Sequence, residues 1–196
     1  TGLWIADQLK RGATSWDNLP DRIGAQITKD VAPDWVVQRY REIYPHKTPG
    51  QILLAATTAG RSWPGHLIQA EERAKIGAPT WMYQLDFPSP EAGGVPGAFH
   101  TLDIPLVFDN VTAKGSRTGD SPAARRLAGR MADAFIAFAR TGDPNCASVP
   151  AWPKFTLDTR RTMIFDTDTR IVSDPRREER LLWSVAPYIK PGGGGG

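Results

Sequence analysis

Few side chains in this sequence pair a reactive group with a setting that would present it. There are three histidines, and imidazole is the side chain that moves protons near neutral pH. His46 lies in the turn Pro45-His46-Lys47-Thr48-Pro49 and reads as a solvated loop residue. His66 falls near the start of a predicted helix and reads as a surface or partly buried residue. His100 follows a loop rich in Gly93, Gly94, Pro96 and Gly97, just after the most strand-like stretch of the chain. Sites in open α/β sheets form outside the carboxyl ends of strands. An imidazole on such a loop could reach a nucleophile while the sheet holds it in place, and would serve as general base and acid. A histidine without a catalytic role is the competing reading of the same residues.

Other chemistries find less support. The serine elbow Gly-x-Ser-x-Gly does not occur. Gly60-Arg61-Ser62-Trp63-Pro64-Gly65 has one residue too many and lies between predicted helices, so Ser62 reads as an N-cap. No two histidines, and no histidine and carboxylate, stand at i, i+4 on one helix face, and no metal site is expected. Asp166-Thr167-Asp168 resembles the start of a calcium loop but lacks the later glycine and glutamate, so a hairpin turn is expected there. Cys146 is the only cysteine, which excludes an internal disulfide. It reads as a loop thiol without a role.

The elements that would hold His100 are legible in the periodicity. Residues 1–45 read as helical pieces broken by Gly12 and Pro20, with Ser15 or Asp17 as a cap. Pro33 opens a helix with Trp35, Val36, Tyr40 and Ile43 on one face. Thr48 caps another, with Pro49 at its first position. A further helix runs from about Pro64 to Ile76 and stops at Gly77. The period then changes: Trp81, Tyr83, Leu85 and Phe87 alternate, predicting a strand over 79–87. After His100 and a polar loop, Asp120 or Ser121 starts a helix with Leu127, Met131, Ala134, Phe135 and Phe138 as its buried stripe. The run Thr141-Gly142-Asp143-Pro144-Asn145 stops it. Residues 163–165 and 170–172 predict a hairpin, and Asp174-Pro175 is expected to cap a last helix ending in Leu181, Leu182 and Trp183. Helix, glycine stop and strand make an α/β rhythm. One domain segment over 1–191 is expected, followed by a flexible glycine-rich end, 192–196.

The bulk composition fits a globular protein of 196 residues, with 40% apolar and 23% charged side chains. Seven tryptophans suggest a large core or an aromatic-lined pocket. The net charge of +3 is scattered in short pairs such as Arg125-Arg126 and Arg176-Arg177. Without a basic stripe, nucleic-acid binding is not expected. No apolar run is long enough to span a membrane.

Four segments in order carry a family resemblance. Gly97-Ala98-Phe99-His100-Thr101-Leu102-Asp103-Ile104-Pro105-Leu106-Val107-Phe108 resembles the catalytic-histidine segment of the type B carboxylesterases, which include para-nitrobenzyl-esterase-like enzymes and the cholinesterases. Phe135 through Asn145 resembles the family's helix and its Thr-Gly-Asp-Pro-Asn end. Trp152-Pro153-Lys154-Phe155 resembles its Trp-Pro step, and Met163 through Glu179 its closing hairpin and helix.

The resemblance implies an α/β class chain: the C-terminal part of an α/β-hydrolase fold, with helices packed on the last strands of a mostly parallel sheet. It implies hydrolysis of a small-molecule carboxylic ester through an acyl-enzyme, with no cofactor. His100 would be the triad histidine. The serine, the oxyanion hole and the acid would come from an N-terminal part, in the same polypeptide or a companion chain. The acid is expected just before Thr1, with Asp7 as a fallback, and the chain alone is expected to be inactive. Asp103 is a candidate for supporting His100 through hydrogen bonds, or a cap for the helix it opens. Phe99 and Phe108 are expected to pack near the acyl or alcohol pocket. Trp4, Trp16 and Trp63 lie in helices that border the family's gorge, with Trp4 and Trp63 as pocket candidates. A binding or adhesion module that has lost the triad is the rival reading.

Overall fold

Prolines open five of the described helices and left-handed glycines follow two of them. The structure, a computed structural model, describes residues 13–27, 30–61 and 63–185. Their backbone contacts divide the chain into two units: Arg73–Pro175, and the described residues before Arg73 together with those from Arg176 onward.

The second of these units is helical. Its helices are α1 (Leu19–Gly24), α2 (Pro33–Ile43), α3 (Pro49–Arg61), the greater part of α4 (Trp63–Lys75) and, from the other end of the sequence, α7 (Arg177–Trp183). Pro20, expected as a break, instead sits in the first turn of α1. Its missing N–H would have had no intrahelical partner there. Just ahead, the Ser15 N–H donates to Asn18 Oδ1 at 2.9 Å. At the head of α3, Thr48 N–H donates to Gln51 Oε1 at 2.9 Å while Gln51 N–H donates back to Thr48 Oγ1 at 3.4 Å. This reciprocal pair is a capping box.

Leu19, Ile23, Val36, Tyr40, Ile52 and Leu53 are fully buried. On α2 the buried face is Val36, Val37 and Tyr40, while Trp35 and Ile43 are only half-buried. The core contains a carboxylate. Glu179 accepts from the Tyr40 hydroxyl at 2.8 Å and from the Tyr44 hydroxyl and the Arg176 guanidinium. Trp183 Nε1 donates to the Tyr40 oxygen at 2.9 Å. Gly60 admits the Trp183 ring: a Cβ there would come within 2.7 Å of it. The cap of α7 is Arg176, not Asp174-Pro175; Asp174 turns the chain at φ +47° ahead of it.

The unit Arg73–Pro175 is an α/β sandwich. Its sheet has the order β1 (Met82–Leu85), β2 (Arg161–Phe165), β3 (Arg170–Ser173). β1 and β2 run parallel, pairing Tyr83 with Met163 and Leu85 with Phe165. β2 and β3 form the expected hairpin and run antiparallel, so this part of the sheet is mixed. Helix α6 (Pro122–Thr141) supplies Leu127, Ala128, Met131 and Ala134 to a core shared with Phe87, Leu106, Trp152, Met163 and Phe165. Each large apolar side chain buried there contributes roughly 1.5–3 kcal/mol. Phe138, expected in the same stripe, is half exposed and meets Trp81 edge-on at 6.0 Å. The Ser121 hydroxyl accepts from Ala124 N–H at 3.1 Å and starts α6; Gly142, at φ +77°, ends it.

Among the described residues no helix is long and apolar enough to cross a membrane. Nor does any group of three potential metal ligands come together among them.

Candidate active site

His100 lies in a tight turn beyond the carboxyl end of β1. Leu102 N–H donates to the Phe99 carbonyl at 3.1 Å, which makes His100 and Thr101 the two central residues. Thr101 has φ +73°. A β-branched residue rarely takes that conformation. The imidazole is exposed, while Leu102, two residues on, is buried and anchors the turn.

The next element is a short helix, α5 (Asp103–Val107), which packs on α6. Its buried residue, Leu106, joins the core. Asp103 makes no side-chain cap for α5, whose N-cap position is Leu102. Its Oδ2 accepts instead from the Tyr83 hydroxyl at 3.0 Å. Tyr83 belongs to β1 and meets Phe135 and Phe165 edge-on at 5.7 and 5.8 Å. Burial, then the nearby Asp103 charge, pushes the Tyr83 phenol well above its ordinary pKa, so it stays a donor. The link fixes the start of α5, and hence the turn carrying His100, to the sheet.

On the amino-terminal side of His100 stands a second tie. The chain leaves β1 through Phe87 and Pro88 to Ser89, which is fully buried. Ser89 N–H donates to the Gly97 carbonyl at 3.1 Å and closes the loop over residues 89–97. The Ser89 hydroxyl donates to the Arg117 carbonyl at 2.6 Å and accepts from Glu91 N–H at 3.3 Å. Arg117 Nε donates to Glu91 Oε2 at 2.8 Å. Hydrogen bonding from Arg117, and secondarily its charge, lowers the Glu91 pKa, and Glu91 in turn raises that of Arg117. The Arg117 guanidinium lies 4.2 Å from the centre of the Phe99 ring. Pro90 packs against Gly119, where a Cβ would approach it to 2.8 Å.

Of the residues named from the sequence, the structure brings His100, Phe99 and Asp103 to one place. Phe99 is half-buried under a guanidinium. Phe108, expected to pack, is 75% exposed just past α5, because the helix turns Leu106 inward. Trp63 belongs to the helical unit, where the Arg176 guanidinium lies 4.8 Å from its ring; Trp16, in the same unit, is exposed under Arg41. Trp4, Asp7, Ser62 and the glycine end fall outside the described residues. His46 and His66 are exposed. Sequence reasoning missed Ser89, Glu91 and Arg117 as supports. The sole hint was a serine held between two prolines, Pro88 and Pro90; Arg117 sits in a polar loop with no period to mark it.

A histidine turn beyond a parallel strand, braced by a helix on the sheet, is an α/β-hydrolase arrangement, and solved structures agree. A carboxylesterase from Geobacillus stearothermophilus superposes with a TM-score of 0.70 at 32% identity, over 83% of this chain and 34% of that one. Residues 35–183 match the carboxylesterase family, and the chain belongs to it. Para-nitrobenzyl esterase from Bacillus subtilis (strain 168) is 28% identical over 165 residues, 81% of this chain and 33% of that protein. Phenmedipham hydrolase from Pseudarthrobacter oxydans is 33% identical over 117 residues, 57% of this chain and 24% of that protein. The chain therefore spans about a third or less of the length of these relatives.

Proposed function

We propose that this chain supplies the general-base histidine of a serine carboxylesterase. His100 takes the proton of a serine hydroxyl as that oxygen attacks the ester carbonyl, then returns it to the departing alcohol. Water repeats the sequence on the acyl-enzyme and releases the acid. The serine, the oxyanion donors and the triad carboxylate come from a stretch of polypeptide outside this chain. Asp103 holds α5 to β1 through Tyr83 and so supports the histidine without touching the reacting atoms.

The observation that carries this reading is the setting of His100: an exposed imidazole on a turn tied on both sides to the sheet and its adjoining loop. A histidine serving only the core would be buried among apolar neighbours. Membership of the carboxylesterase family and the likeness to para-nitrobenzyl esterase favour ester hydrolysis over other proton-transfer chemistries.

The test uses the full-length polypeptide containing these residues, assayed with para-nitrophenyl acetate. His100→Ala should lower kcat by about three or more orders of magnitude, as loss of a triad member does. It should also abolish labelling by a serine-directed phosphonate. Wild-type turnover in that variant would falsify the assignment.

A further inference from the structure

We propose that Arg117 is a positioning residue for His100, acting by clasping the loop that carries the histidine. The inference rests on His100 being the general base. The loop 89–99 has little regular structure to hold it: a single 3-10 turn at Glu91–Gly94, with Ala92 and Gly93 at positive φ. Besides its own Ser89–Gly97 bond, the neighbouring loop around Arg117 holds it by three separate contacts. The Arg117 carbonyl receives the Ser89 hydroxyl, its guanidinium binds Glu91, and the same guanidinium covers the ring of Phe99. Phe99 is the residue immediately before His100, and its carbonyl closes the histidine turn. One side chain therefore joins the start of the loop, at Glu91, to its end, at Phe99.

A planar guanidinium suits this task. It can give two N–H groups to a carboxylate while its face rests on an aromatic ring, which an ammonium cannot reproduce. The Arg117–Glu91 pair is part-exposed, so its worth to overall stability is small. Its worth to catalysis is geometric: displacement of a reacting group by an ångström can cost about a hundredfold in rate. Arg117 also has φ +58°. Alanine carries the same Cβ, so Arg117→Ala removes the two side-chain contacts, to Glu91 and Phe99, without altering the backbone cost, and leaves the carbonyl that receives Ser89 in place.

The experiment is steady-state hydrolysis of para-nitrophenyl acetate by the full-length enzyme, with active sites counted by phosphonate titration. Arg117→Ala should lower kcat per titrated site about ten- to a hundredfold, with KM and the number of titrated sites little changed. Arg117→Lys should recover part of the loss, and Ser89→Ala should move kcat in the same direction. Arg125→Ala, which breaks the exposed pair with Asp120 at the head of α6, should leave kcat unchanged. Wild-type kcat per site in Arg117→Ala, or a loss confined to the number of titrated sites, would overturn the proposal. An equal loss in Arg125→Ala would do the same. An inactive His100→Ala beside a fully active Arg117→Ala removes the clasp alone; an active His100→Ala removes the reading beneath it.

Discussion

Thr101 takes a left-handed conformation directly after the histidine. For a β-branched residue this stores strain of order 1–3 kcal/mol, retained where the surroundings over-determine it. Here they do: Leu102 is buried behind it, and the Thr101 carbonyl accepts from Ile104 N–H at 3.2 Å. Asparagine tolerates positive φ better and, unlike glycine, does not greatly loosen the unfolded chain. Thr101→Asn should therefore raise unfolding free energy by about 1 kcal/mol in urea titration; a loss of stability would show that the turn is relaxed with threonine. The position of His100, on a turn beyond a strand, was legible in the sequence because a glycine-rich loop follows an alternating strand. Its supports were not. The Tyr83–Asp103 bond joins residues twenty apart, and the Ser89–Arg117 bond residues twenty-eight apart. Long-range side-chain pairing leaves no periodic trace.

At the scale of elements, legibility followed the locality of the physics. Helix α6 begins and ends where its serine, proline and glycine require, since caps depend on neighbours within one turn. The first turn of α1 was misread because proline serves equally as a breaker and as an opener. The segment after α6 shows a local motif turned to a distant purpose. Asn145 N–H donates to Asp143 Oδ1 at 2.9 Å, and this bond, followed by that of the Asn145 side chain, lowers the Asp143 pKa. The Asn145 amide then brackets the backbone of Trp152, accepting from its N–H at 2.7 Å and donating to its carbonyl at 2.9 Å. Trp81 Nε1 donates to the same carbonyl at 3.2 Å. The end of α6 thereby sets the strand-like entry to β2, and Trp152 packs on Phe165 of that strand. Asn145→Ala strands the Trp152 N–H and should cost roughly 1–3 kcal/mol. Urea denaturation would measure it; a cost below a few tenths would mean that the Trp152 backbone finds other partners.

On the scale of the whole chain, each unit sets a tyrosine hydroxyl beside a carboxylate: the buried Tyr40 with Glu179, and the half-buried Tyr83 with Asp103. Desolvation by burial is the main cause in both, with the neighbouring carboxylate adding to it, and both phenols are held well above the ordinary value near 10. A raised phenol pKa means that the folded chain keeps a proton which the unfolded chain releases. Their contribution is fully present below about pH 10 and is lost as pH rises toward the folded pKa. For Tyr40, which is fully buried, the loss is about 1.4 kcal/mol per pH unit above the unfolded value. The turn that carries His100 depends on the same arrangement, because Tyr83 donates to Asp103 at the start of α5 only while protonated. Tyr40→Phe costs stability at neutral pH, since Glu179 and Trp183 Nε1 lose a partner. Above pH 10 its unfolding free energy should nevertheless decline less steeply than that of the wild type, by about one proton's worth of slope. Denaturant titrations of both proteins between pH 9 and 11.5 make the comparison, and parallel slopes would show that the Tyr40 phenol ionises in the folded state as readily as in water.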